Sequence, residues 1–362
     1  MSAAADVAVV GAGIVGLAAA EALARRGADV VCLDGGAPGH AQSAGRARSF
    51  RHLHAEPALI GLAVRSRAAW RALETRAGVE LLERGGMLRL GGEHEPDVAA
   101  LRAAGIEARV IDAAEAAARL PALAPEAGPL LFDPDAGAVR AADAIRALAG
   151  LLGDRVVRTR VQAIEPVAGG VRLLTPAGEL RCRRCLVCAG AGTERLVAPL
   201  GLAIAERERR AAFRLTFRVT RAPDAPMPVW GDRSGRFGER AYGTPEAPDR
   251  YAVGLVATTL PLDAGDAEAL PSAAVDVRDA RRRLVAYVGR AFPGLDPEPV
   301  DGVLRMITPL RGPDEDRFGL WARDGVLAFA GHNLFKHAPA LAELLAGAAL
   351  GEPPDPMLSL PA

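Results

Sequence analysis

Asp6 to Asp34 reads DVAVVGAGIVGLAAAEALARRGADVVCLD, and this stretch limits the fold more than any other in the chain. Val7 to Val10 is a short apolar strand, followed at once by Gly11-Ala12-Gly13-Ile14-Val15-Gly16. Ile14 to Arg25 has helical composition and ends at Gly27, and Val30 to Leu33 is a second apolar strand closed by Asp34. A glycine fingerprint between a strand and a helix, with an acid at the end of the next strand, is the signature of a dinucleotide-binding βαβ unit. Gly11 makes the tight turn, Gly13 lets the backbone approach a pyrophosphate, and Gly16 lets helix and strand pack closely. The phosphates belong at the positive end of the helix, where Ile14 and Val15 offer free amides. Asp34 is placed to accept hydrogen bonds from ribose hydroxyls.

The fingerprint alone does not separate FAD from NAD, but its position helps. More than 300 residues follow it in a chain of 362. A second strand-then-glycine element, Leu186 to Gly192, lies mid-chain, and a third, Leu327 to Gly331, lies near the C-terminus. Three such elements imply one nucleotide domain assembled from separated pieces, with a second domain between them. Formal net charge is +0, which argues against a nucleic-acid partner. No apolar run reaches the roughly 18 residues of a membrane span. MSAAADVAVVGAG has no positive n-region, so no signal peptide and a cytoplasmic location are expected. Cys182, Cys185 and Cys188 have a spacing that can hold an iron–sulfur cluster. In a strand their thiols alternate in direction, so they are expected to be structural, and no metal site is expected.

One lysine, Lys336 in GHNLFKHAPA, stands among 44 Lys and Arg residues. Pro339 suits the first turn of a helix that runs from Ala340 to Leu350 and stops at Gly351. Lys336 therefore precedes a helix N-terminus, and the two together favour an anion.

These features resemble the D-amino-acid-oxidase-like FAD oxidoreductases, in the branch of monomeric sarcosine oxidase and N-methyltryptophan oxidase. The resemblance rests on the fingerprint, on SAGRARSFRHLHAE (43 to 56), FDPDAGAVRAADAIRAL (132 to 148) and RTRVQAIE (158 to 165). It also rests on LVCAGAGTERL (186 to 196), DGVLRMITPLRGPDEDRFGLW (301 to 321) and AFAGHNLFKHAPALAELLAGAALG (328 to 351). It implies an α/β fold: a Rossmann-like FAD-binding domain assembled from discontinuous segments, plus an α+β substrate domain with a mixed sheet. Residues 1–82, 141–206 and 302–362 are expected in the first, and 83–140 and 207–301 in the second.

By this resemblance Arg51 and Lys336 grip a substrate carboxylate, and Tyr242 lines the pocket. Arg48 stands near the flavin and Val161 contacts the adenine. Gly190, Gly331, Leu334, Phe335 and Lys336 also line the cofactor. The implied reaction is oxidation of a C–N bond in an amino acid or N-alkyl amino acid, with hydride passing to flavin N5 and an imine as product. Three departures matter. Arg305 stands where the branch bonds its flavin to cysteine, so noncovalent FAD is expected. Ile307 replaces a tyrosine. Ala252 and Val256 replace a lysine that promotes reaction with oxygen and a histidine. Arg305 is then a candidate replacement cation, and the acceptor is oxygen or another oxidant. Dehydrogenase and non-catalytic flavin-binding readings stay open. His332 and His337, which flank Lys336, are candidate bases, and the segment Asp232 to Ala247 is expected to shape the pocket as a loop.

Overall fold

A computed structural model describes residues 5–204, 209–261, 277–310 and 316–358. The expected boundary at 206/207, the start of MSAAADVAVVGAG and part of DGVLRMITPLRGPDEDRFGLW lie outside the described residues.

The chain opens with β1 (Ala5–Val10), α1 (Ile14–Arg25) and β2 (Val30–Asp34). β3 (Ala47–Phe50) leads to the long helix α2 (Pro57–Ala77), then β4 (Leu82–Glu83) and β5 (Met87–Leu90). Next come α3 (His94–Ala103), β6 (Arg109–Ile111), α4 (Ala113–Arg119), β7 (Leu130–Asp133) and β8 (Gly137–Arg140). α5 (Ala141–Leu152) precedes β9 (Val156–Arg158), β10 (Ala163–Val167), β11 (Gly170–Thr175), β12 (Gly178–Val187) and the short α6 (Thr193–Val197). Four strands follow: β13 (Arg210–Val219), β14 (Val229–Asp232), β15 (Ala241–Ala247) and β16 (Arg250–Pro261). α7 (Arg278–Ala291), β17 (Leu295–Ile307), β18 (Phe318–Arg323), β19 (Val326–Gly331) and α8 (Ala338–Leu350) complete the described elements.

The first eight-stranded sheet has the order β10-β11-β12-β1-β2-β9, with β19 on β12 and β18 on β19. β12, β1, β2 and β9 are parallel neighbours, as a βαβ unit requires. β1 and β2 come from the start of the chain, β12 from the middle and β19 from near the end. The three strand-then-glycine elements thus meet in one sheet. Helices α1, α2, α5 and α8 pack on one face, around Leu17, Leu23, Trp70, Leu148 and Leu341. The small residues of α1 explain its close approach to α8, since Ala18, Ala19, Ala20 and Ala22 are all buried.

The second eight-stranded sheet runs β17-β13-β16-β15-β14-β5-β7-β6. β14 and β5 are parallel and the other neighbours antiparallel, so the sheet is mixed. α7 covers it with Leu284, Tyr287 and Val288 in the core beside Trp230 and Phe292. β17 continues this sheet as far as Ile307, past the position 302 at which the sequence suggests a change of domain. β3, β8 and β4 form a small third sheet. The segment from Asp232 is not all loop: Ala241 to Ala247 is strand β15, because its backbone pairs with β14 and β16.

All four cysteines are free and buried. Burial pushes the thiols of Cys32 and Cys182 up to about 12 and about 11, so they are protonated and inert. Alternation would separate Cys182 from Cys185, yet both join one apolar cluster. β12 changes neighbours between them, from β11 to β19. Among the described residues no group of His, Cys, Asp and Glu is arranged to hold a metal. No described helix is long and apolar enough to cross a membrane.

Candidate active site

The fingerprint turn is built as tightly as its glycines suggest. Gly11 has φ +107, and a Cβ there would lie 2.5 Å from the Cys188 carbonyl oxygen. A Cβ at Gly16 would lie 1.9 Å from the Gly11 oxygen, so no side chain fits where α1 leaves the turn. Asp34 Oδ2 accepts from the Ala12 amide at 2.7 Å and Oδ1 from the Gly36 amide at 2.9 Å. The acid thus fixes the turn on both sides while keeping lone pairs for a ribose. Ser43 Oγ accepts from the Ile14 amide at 3.0 Å, at the positive end of α1. Sequence reading passed over Ser43, although a hydroxyl 29 residues downstream now stands at the phosphate end of the helix. Val161 is buried in the loop between β9 and β10, near the end of β2 that carries Asp34.

Gln42, also unforeseen, ties three segments together. Its amide nitrogen donates to the Met306 carbonyl and to Thr308 Oγ1, each at 3.3 Å. Its oxygen accepts from the Ala191 amide at 2.9 Å, beside the left-handed Gly190. Gly331 ends β19, where a Cβ would be 2.4 Å from the Phe318 side chain.

Lys336 lies in a single 3-10 turn, Phe335 to His337, immediately before α8. It is buried, with 3% exposure, so it is not a leftover surface lysine. Its Nζ donates to the Asn333 carbonyl at 3.1 Å, and Asn333 is a rare non-glycine residue at positive φ. Trp70 Nε1 on α2 donates to the Lys336 carbonyl at 2.9 Å, and the Trp70 ring stacks on Phe335. Leu334 and Phe335 thereby pack into the core beneath α2, and Phe335 turns its ring to Arg48 at 5.1 Å.

Arg51 donates from Nη2 to Asp316 Oδ2 at 2.8 Å and from Nη1 to the Leu53 carbonyl. His54 Nδ1 is 3.1 Å from the same Asp316 oxygen, and Asn333 Nδ2 donates to Oδ1. Burial opposes ionisation of Asp316, yet Lys336, His54 and Arg51 hold its carboxyl far below the usual range. Burial, Arg51 and Lys336 push the His54 imidazole down to about 3, so it is neutral. An ionised Asp316 can only accept, which places the His54 proton on Nδ1. His337 is likewise buried and held neutral, with Nδ1 3.5 Å from Ser66 Oγ on α2. Its ring also lies 5.2 Å from that of His54. His332 is half-buried, and its amide donates to the Arg317 carbonyl.

A second charged group forms around Arg48, Tyr242 and Arg305. Arg48 donates to the carbonyls of Gln42, Ala44 and Ala47 at 2.7–3.1 Å. Burial, Arg305 and Arg214 hold its guanidinium well below the ordinary value. Burial and Arg214 push Arg305 down to about 9, so it is charged at neutral pH. Arg51 thus bonds to Asp316 and Lys336 adds its charge to that carboxylate, while Arg48 and Arg305 meet beside Gly45 with Tyr242 among their charged neighbours.

The profile of the family described as "FAD dependent oxidoreductase" matches residues 6–348. The chain belongs to that family. The turn at Gly11, Gly13 and Gly16, the α1 terminus and Asp34 fit the FAD that the family is described by. Among curated relatives, monomeric sarcosine oxidase of Bacillus sp. is 29% identical over 55% of this chain and 54% of its own. N-methyl-L-tryptophan oxidase of Citrobacter koseri is 28% identical over 54% and 56%. The chain thus spans about half the length of these two relatives. It spans more of monomeric sarcosine oxidase of Streptomyces avermitilis, which is 28% identical over 95% of this chain and 93% of that one. Solved structures with the same fold include NikD, described as an unusual amino acid oxidase essential for nikkomycin biosynthesis. It is 23% identical, with TM-score 0.82 over 97% of this flavoprotein and 95% of that chain. L-proline dehydrogenase of P. horikoshii is 18% identical, with TM-score 0.81 over 99% and 96%.

Proposed function

We propose that this flavoprotein oxidises a C–N bond of a small amino acid or N-alkyl amino acid. The observation that carries this reading is the state of Asp316. Arg51, Lys336 and His54 act on a single carboxylate, which is the group an amino acid would present to them. Charge-assisted hydrogen bonds from Arg51 and Lys336 would hold the substrate carboxylate and fix the reacting carbon. Tyr242 would wall the pocket from the second sheet. The buried surroundings favour a neutral amine, the form that can release hydride. FAD, held at the 11–16 turn and Asp34, would supply a two-electron acceptor for the hydride, which would leave the substrate as an imine. The cofactor is held noncovalently, since Arg305 occupies the attachment position and every cysteine is a buried thiol. The expected division into domains, with residues 1–82, 141–206 and 302–362 around FAD, belongs to the same proposal.

Ala252 favours a second reading for the acceptor. It is 1% exposed and stands between Thr216 and Thr244, so no ammonium is available there. A dehydrogenase that passes electrons to a quinone or a carrier protein fits that arrangement. Anaerobic bleaching of the FAD-loaded protein by a panel of amino acids and N-methyl amino acids tests the main reading. Bleaching by monocarboxylic amines is expected. Failure with every member, while FAD stays bound, would reject it. Slow recovery in air and fast recovery with a quinone would select the dehydrogenase.

A further inference from the structure

The second sheet turns toward the segment 42–49 a face with more positive charge than it compensates. Register places Tyr242, Gly254 and Arg214 in one row across β15, β16 and β13, with Thr244, Ala252 and Thr216 in the next. Residues directly opposite across strands share a face. The Tyr242 ring lies over Gly254, where a Cβ would be 2.5 Å from it. On the neighbouring β17, Arg305 stands opposite Ala212 of β13. Arg48 faces these residues from β3.

Charge is unbalanced in this group. Arg214 pairs with Glu246 at 3.2 Å, both side chains being 6% exposed, and Thr216 Oγ1 donates to the other Glu246 oxygen at 3.0 Å. Glu246 is the carboxylate that acts on Arg48 and Arg305 as well. Arg48 itself donates to backbone carbonyls and lies over the Phe335 ring. Among the described residues, Nε and Nη2 of Arg305 and Nε of Arg214 are buried without a hydrogen-bond partner. Leaving a buried donor unmatched costs about 1–3 kcal/mol. The guanidinium also lies against the backbone at Gly45, which has φ +109; a Cβ there would lie 2.3 Å from Nη2. Three guanidinium groups, one carboxylate and idle buried donors describe a site prepared for an anion.

The carboxylate that Arg51 holds, Asp316, belongs to a separate set of charges. The charged neighbours that act most strongly on Asp316 are Lys336, His54 and Arg51, whereas those acting on Arg305 are Arg214, Tyr242 and Glu246. The two sets share no member. They flank the 42–51 segment, which joins the fingerprint domain to the second sheet.

We infer that Arg305, supported by Arg214 and Arg48, is the cationic centre that receives the negative charge the flavin ring acquires on reduction. The charge comes from β13 and β17, so β16 can carry Ala252 without loss of that function. This deepens the proposed function by naming an electrostatic partner for the cofactor, and it needs FAD binding but not the Arg51–Lys336 clamp.

The test uses the full-length FAD-loaded protein, with Arg305→Met and Arg305→Gln as charge-free variants and Arg305→Lys as the conservative one. Sulfite is the probe, because its addition to the ring leaves negative charge there; the midpoint potential of the bound flavin is the second readout. Removing the charge is expected to weaken sulfite binding by about tenfold or more and to lower the potential. Arg305→Lys is expected to stay within about threefold of the parent. Gln retains polarity and a hydrogen-bond donor, so one charge-free variant remains usable if Met disturbs packing. Sulfite affinity within about twofold of the parent, together with an unchanged midpoint potential, in either folded charge-free variant would overturn the inference. An Arg305 effect on sulfite without amino-acid bleaching would reject the clamp reading alone. Bleaching with no Arg305 effect on sulfite or potential would reject this inference alone.

Discussion

Lys336 owes its chemistry to its surroundings. Its main chain is pinned by Trp70 and its ammonium by the Asn333 carbonyl, in a buried turn before α8. Lys336→Met is expected to raise the amino-acid concentration for half-maximal bleaching by about 10- to 100-fold, the worth of a charge-assisted hydrogen bond. An unchanged value in anaerobic stopped-flow titrations would remove Lys336 from the clamp. His54 gives a prediction about pH. The unfolded chain gains a proton on this residue below about its ordinary 6.5, while the folded chain resists protonation down to about 3. Stability is therefore lost as pH falls through that window. In His54→Gln, urea midpoints between pH 6.5 and 3 are expected to fall less steeply than in the parent. Lys336 was legible in the sequence because it is the single lysine and sits before a proline-started helix. Asp316 was not, since nothing local marks an acid whose partners lie at residues 51, 54 and 333.

At the scale of elements, the βαβ unit was legible almost to the residue. α1 begins at Ile14 and ends at Arg25, as apolar spacing and Gly27 imply. Backbone geometry there is local, so local sequence specifies it. Gly16→Ala would place a methyl group 1.9 Å from the Gly11 oxygen. Loss of FAD is expected, with affinity at least about tenfold weaker, because turn and helix must separate. Fluorescence titration of the cofactor-free protein would check this, and tight binding by the variant would refute it. Trp70→Phe keeps the stacking on Phe335 but strands the Lys336 carbonyl. A loss of about 1–3 kcal/mol in stability is expected from chemical denaturation. Strands of the second sheet were harder to read. β15 looked like loop because Gly243 and Pro245 interrupt it, and its strand character comes from pairing with β14 and β16.

Among the described residues are two eight-stranded sheets and a three-stranded one, and the 42–51 segment bonds to both large ones: Gln42 to Met306 of β17 and to Ala191 after β12, Ser49 to Thr244 of β15. The three-piece nucleotide domain could be inferred because each piece ends in a glycine turn. The order of the second sheet could not, since a parallel β5–β14 pair joins residues far apart in sequence. FAD is expected to bridge pieces that Gln42 already links. At a concentration about 100 times its Kd it should add about 2.7 kcal/mol of stability. Thermal melts with and without FAD are expected to differ by about 5 °C. Coincident melts would mean that the cofactor does not bind the folded chain.

The contact between Gly45 and Arg305 has a consequence for ancestry. The guanidinium occupies the volume that any Cβ at position 45 would need, and φ +109 already disfavours a side chain there. The two positions should therefore have changed as a pair. Descendants that keep arginine at 305 should keep glycine at 45, and lineages that acquire a side chain at 45 should have lost the arginine first. An aligned set of relatives in which the two positions vary independently would contradict that order of events.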